Sequence, residues 1–110
     1  MILATNDSLA GYRITETLGL VRGNTVRSRH IGRDIMAALR NLVGGEVTEY
    51  TKMLSEVREQ ALDRMVEDAR TLGANAVVMT RFMTSEVMKG AAELMAYGTA
   101  VVVEDDPDAP

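Results

Sequence analysis

GGEVTEYTKMLSEVREQALDRMVEDARTLG, residues 44–73, carries the most regular apolar spacing in the chain. Val47, Tyr50, Leu54, Val57, Ala61, Met65, Ala69 and Leu72 recur at steps of three and four, the repeat of one face of an α-helix. The spacing predicts a helix over residues 46–72, ~40 Å long at 1.5 Å per residue, begun after the Gly44-Gly45 break and ended by Gly73. On its polar side Glu49 and Lys52, Lys52 and Glu56, and Arg64 and Asp68 stand at pairing distance along the helix.

Upstream, Ile31, Ile35, Leu39 and Leu42 form a shorter stripe and predict a helix over residues 33–43, with Asp34 near its positive end and Gly44-Gly45 stopping it. Two β-prone stretches precede it. Residues 2–5 form a short one, closed by the turn chemistry of Asn6-Asp7-Ser8. Residues 12–26 form a longer one, read as a single kinked strand with Gly19 and Gly23 as bends or bulges. Downstream of the long helix, residues 76–87 and 93–103 read as two strands of similar length joined through Met88-Lys89-Gly90, hence an antiparallel hairpin. The expected fold is α+β: a small antiparallel-rich sheet with one short and one long helix. Residues 1–104 form one domain, and residues 105–110, which hold both prolines, form an acidic disordered tail.

At 110 residues, 46% hydrophobic and without cysteine, the chain is a globular domain with no disulfide framework and no zinc–thiolate site. No apolar run is long enough for a membrane span, and Met1-Ile2-Leu3 is too short for a signal peptide. A cytoplasmic protein is expected. The net charge of -4 argues against sequence-independent nucleic-acid binding. That charge is polarised: residues 1–45 hold six arginines against three acids, residues 46–110 six basic against thirteen acidic side chains. The halves can pair within one molecule or between copies.

Self-association is expected on two grounds. The long helix exceeds what a few short strands cover, so Val47, Tyr50, Leu54 and Val57 are assigned to a contact with another copy. The last strand carries Ala96, Tyr97, Gly98, Thr99 and Ala100, mostly small residues that permit close approach, and these are assigned to the same interface. The competing reading is that the small residues make room for the helix of their own chain.

The densest polar cluster is Arg27, Ser28, Arg29, His30, Ile31, Gly32, Arg33 and Asp34, where a strand gives way to a helix through a glycine. Free backbone N–H groups and guanidinium groups there suit a small anion, with Arg27, Ser28, Arg29, Gly32 and Arg33 as ligands. Pairing of the same arginines with the acidic helix is the alternative. His30, the single histidine, is the candidate metal ligand; a divalent metal there requires carboxylates from neighbouring copies to complete its shell. The eight methionines read as core filling, since Met79 and Met83 along one strand are ~13 Å apart. No nucleophile, base and acid set is visible, so a non-enzymatic role is expected.

The segments SRHIGRDIMAALRNLVGGEVTEYTKMLSEVREQALDRM, LGANAVVMTRFMTSEV and AAELMAYGTAVVV resemble the YbjQ-like family, a group linked by description to heavy-metal binding. The resemblance covers nearly the whole chain up to the acidic tail. It implies a dodecin-like α+β subunit assembling into a homopentameric ring, in places stacked as a decamer. Two positions depart from the family's usual text: Met79 stands where Gly is common, and Met83 where Asp is common.

Overall fold

The computed structural model describes residues 1–27, 47–88 and 91–108. Their elements are β1 (Ile2–Leu3), β2 (Tyr12–Arg27), α1 (Val47–Thr71), β3 (Ala76–Met88) and β4 (Ala91–Asp105). The helix expected over residues 33–43 lies outside the described residues. For Arg27, Val47, Tyr50 and Leu54 the description is limited to the backbone.

The long helix and the hairpin stand where the periodicity puts them. One four-stranded sheet has the order β1-β3-β4-β2, with β3–β4 and β4–β2 antiparallel and β1 added parallel to β3. The sheet is therefore mixed rather than antiparallel throughout. Helix α1 crosses one face, mainly over β2 and β4. Its buried residues Ala61, Met65 and Ala69, four apart, pack on Val21, Val77, Ala96 and Ala100.

That packing is close because two facing surfaces lack side-chain bulk. Gly23 is no bulge: its ladder to β4 runs without interruption from Gly19 to Arg27. A methyl group at Gly23 would overlap the Ala61 carbonyl oxygen and the Met65 amide nitrogen, and would lie 2.8 Å from Arg64 Cβ. The strand backbone and the helix backbone meet there. The irregularities of β2 lie nearer its start, between Ile14 and Glu16 and between Thr17 and Gly19.

The helix also closes the free edge of the sheet. Arg64 and Asp68, which sequence spacing pairs with each other, turn instead to the outer backbone of β2. The Asp68 carboxylate accepts the Arg22 N–H at 3.2 Å, and Arg64 donates to the Asn24 carbonyl. Two groups an edge strand would otherwise offer to another chain are thus occupied.

At its C-terminus α1 ends through Gly73, φ +87°. The Ala74 N–H reaches the Ala69 carbonyl and the Gly73 N–H the Arg70 carbonyl, a Schellman arrangement that satisfies two final carbonyls. Two residues later the Asn75 carboxamide pairs with Val103 like a strand residue, accepting its N–H at 2.8 Å and donating to its carbonyl at 2.9 Å. This sets the register in which β3 enters the sheet.

On the opposite face Ala76, Val78, Val101 and Val103 form a second apolar cluster under Ile2, Leu9 and Tyr12. Strand β4 continues past Val103: Asp105 stands opposite Tyr12, Arg13 meets Glu104 at 3.1 Å, and the Asp106 N–H reaches the Gly11 carbonyl. The acidic segment therefore begins inside the sheet. Backbone pairing with residues 11–13 holds it there, since an ion pair this exposed adds little.

In β3 one extra residue stands between Val78, opposite Thr99, and Arg81, opposite Tyr97. Met79 there has φ +55°, the left-handed region. The bulge turns the Met79 N–H to the Asn6 carbonyl and the Thr80 N–H to the Ala4 carbonyl, tying the N-terminal segment along β3. It leaves the Thr80 hydroxyl buried without a partner.

Two stability outcomes follow. Gly23→Ala, forcing apart two backbones, is expected to lose about 3 kcal/mol, the upper end for overpacking. Met79→Gly removes a left-handed L-residue and is expected to gain about 1 kcal/mol. Urea unfolding of each variant beside the parent protein measures both. A neutral Gly23→Ala would refute the backbone contact, and a destabilised Met79→Gly would refute the strain.

Candidate functional site

Alternation along the strands sorts the sheet's side chains onto two faces. Val21, Gly23 and Thr25 of β2 stand opposite Gly98, Ala96 and Leu94 of β4, and the cluster under α1 marks this as the helix face. Their neighbours belong to the other face. Leu20 stands opposite Thr99, Arg22 opposite Tyr97, Asn24 opposite Met95 and Val26 opposite Glu93. On the far side of β4, Arg81 stands opposite Tyr97, Met83 opposite Met95 and Ser85 opposite Glu93.

Three rows of three therefore cross the uncovered face: Arg22–Tyr97–Arg81, Asn24–Met95–Met83 and Val26–Glu93–Ser85. The bulge at Met79 decides which residues of β3 join them. A one-residue shift exchanges the two faces of a strand. With it, Arg81, Met83 and Ser85 face away from the helix, and Phe82, opposite Ala96, shares the helix face.

Among the described residues, the N-terminal segment alone covers this second face, and only at one end. Beyond it the apolar side chains are open: Leu20 is 65% exposed, Val26 55% and Met83 46%. Tyr97, Thr99, Met95, Asn24 and Glu93 are half-buried. Arg81 is anchored, its Nη1 donating to the Thr5 carbonyl at 2.6 Å and to the Thr80 carbonyl at 2.9 Å. Arg22 is exposed beside Tyr97 on the edge strand.

Of the residues assigned to a subunit contact, Ala96, Gly98 and Ala100 are buried inside the protomer. Ala96 and Ala100 belong to the core beneath α1, and a Cβ on Gly98 would come within 2.7 Å of Val77 Cγ1. Their smallness serves the chain's own helix and strand. Tyr97 and Thr99 point the other way, onto the uncovered face. Val57 is half-buried on α1. Ser28, Arg29, His30, Gly32 and Arg33 lie outside the described residues, and Arg27 is placed only as the last residue of β2, opposite Ala92.

Among the described residues no three of His, Cys, Asp and Glu come together in a way that could hold a metal ion. They do not supply the mixed carboxylate set a divalent ion would need. No helix among them is long and apolar enough to cross a membrane.

Sequence spacing missed the uncovered face because its rows join residues 22, 97 and 81, or 24, 95 and 83. The spacing within each strand contains only the alternation. The pairing depends on four register shifts whose positions no local pattern announces.

Comparison with known proteins shows the same fold in a DUF74-family protein from Pediococcus pentosaceus, with a TM-score of 0.60 over 94% of this chain and 98% of that one at 17% identity. A UPF0145 protein of Methanosarcina acetivorans is 62% identical over 103 residues, 94% of this chain and 97% of its own length. A second from Dehalococcoides mccartyi is 58% identical over 94% of this chain and all of its own. A third from Thermococcus kodakarensis is 57% identical over 96% of this chain and 94% of its own. The YbjQ family model, described as "Putative heavy-metal-binding", matches residues 1–104. With that match and these identities over nearly the full length, the chain belongs to the YbjQ family.

Proposed function

We propose that this chain is a self-assembling, non-enzymatic cytoplasmic protein that closes into a homopentameric ring and holds a small ligand within it. The observation that carries the reading is the uncovered sheet face. Leu20, Val26 and Met83 stand open on one surface of a sheet whose other surface has its helix. A sheet needs a layer on each apolar face.

The occupant we assign is a second copy, with the start of the neighbour's α1, carrying the sequence stripe Val47, Tyr50, Leu54 and Val57, laid against this face. Such a contact uses two different surfaces, and heterologous contacts close into rings. The number five comes from the family resemblance, and the polarised charge of the two halves of the chain favours the same pairing. The small ligand is an anion held by Arg27, Ser28, Arg29, Gly32 and Arg33, as sequence reading assigns.

The family description favours a second reading, metal binding, with His30 and carboxylates of adjacent copies as ligands.

Native mass spectrometry at micromolar concentration is expected to report a pentamer or its double. Leu20→Asp, at a site open in the protomer, is expected to give a folded monomer by the same measurement. A monomeric parent protein, or a ring indifferent to Leu20→Asp, overturns the reading. For the second reading, titration with nickel, copper and zinc is expected to show binding that His30→Ala removes; unchanged binding places the ligands elsewhere.

A further inference from the structure

We propose that Met83 and Met95 form a binding site for a soft monovalent cation, copper(I) or silver(I), on the uncovered face of the sheet. The inference goes beyond the metal-binding reading, since its ligands and ion class differ and it makes no use of His30.

Strand register is the starting point. Met83 of β3 and Met95 of β4 stand directly opposite each other on the face away from α1. Opposed residues of antiparallel strands have Cβ atoms ~4.5–5.5 Å apart. A linear S–metal–S unit with bonds like those of zinc to thiolate, ~2.3 Å each, spans nearly the same distance. The two flexible stems take up the difference. Separation along one strand forbids chelation between Met79 and Met83, but the distance across the ladder permits it between Met83 and Met95.

Exposure separates this pair from ordinary core filling. Met83 is 46% exposed and Met95 half-buried, whereas Met65 is wholly enclosed under the helix. Both residues lie on the sheet surface, so in the free protomer an ion reaches the pair without opening the fold.

The surroundings select the ion. Thioethers are neutral, soft donors, suited to copper(I) and its congeners. One row toward Tyr97 stand Arg22 and Arg81, one row the other way a single acid, Glu93. Two guanidinium groups against one carboxylate oppose a divalent ion more strongly than a monovalent one. Tyr97, two residues from Met95 on the same face, presents a ring whose electron-rich surface attracts a cation. Asn24, opposite Met95, closes the β2 side.

The test uses the full chain in chloride-free buffer with silver nitrate, followed by native mass spectrometry and by NMR of methionine methyl groups. One silver ion per chain is expected, with the methyl signals of Met83 and Met95 moving together. Leucine keeps the volume and removes the sulfur, so Met83→Leu and Met95→Leu should each weaken binding at least tenfold. The double variant should lose stoichiometric binding, while His30→Ala leaves it intact. Binding retained by the double leucine variant, or no binding by the parent protein, overturns the proposal. Should the double variant not fold, the single variants and the methyl shifts decide. Mass spectra of the same samples report subunit number. A ring that takes no silver therefore sinks this inference alone, whereas a monomer that takes silver sinks the assembly.

Discussion

The contact between the backbone of β2 at Gly23 and the backbone of α1 at Ala61 and Met65 governs the rest of the structure. Side chains normally hold a helix away from a sheet; here the absence of one lets it sink onto the strand. Ala61 and Ala69 on the helix and Ala96 and Ala100 on β4 keep the surrounding interface equally shallow, with Met65 filling the remaining space. Once seated over β2, the helix brings Arg64 and Asp68 to the strand's outer backbone, and its own length is used along β2 rather than across the sheet. Strand β3 receives little cover from it, and Phe82 remains 43% exposed on the helix face.

Among the described residues, one helix placed this way leaves the second sheet surface only partly covered. The N-terminal segment completes part of it, through Ile2, Leu9 and Tyr12. That coverage and the chemistry of the remainder share a cause, the extra residue at Met79. It bends the N–H groups of β3 toward Asn6 and Ala4, and it reverses which residues beyond it face the helix. An arginine, a methionine and a serine are thereby set on the open surface. The left-handed φ of Met79 and the unpartnered Thr80 hydroxyl are concentrated at that point, as strain commonly is where a fold redirects side chains. Glycine is the residue that such a φ favours.

Much of the architecture was legible before any coordinate. Eight apolar residues at helical spacing named the helix, Gly73 its end, and the alternating segments on either side of Lys89 the hairpin. These signals are local: each depends on residues a few positions apart, and hydrogen bonding within a helix or across a short turn enforces them directly. The family, too, was readable, because whole segments carry it. The acidic tail was less so. Composition says that Glu104 and Asp105 prefer water, and they do remain exposed, but the ladder with residues 12 and 13 claims their backbone.

The sequence by itself thus determined the helix, the hairpin and the amphipathic faces, since periodicity is a property of neighbours along the chain. Only the tertiary structure decided that Gly23 is a docking point instead of a bend, that Ala96 and Ala100 serve their own helix, and that Arg22, Tyr97, Arg81, Met83 and Met95 share one surface. Those outcomes depend on register between strand positions up to 93 apart, Tyr12 with Asp105. Register is set by bulges and by side-chain pairings such as Asn75 with Val103, whose effect reaches across the sheet and leaves no repeat in the text of any one strand.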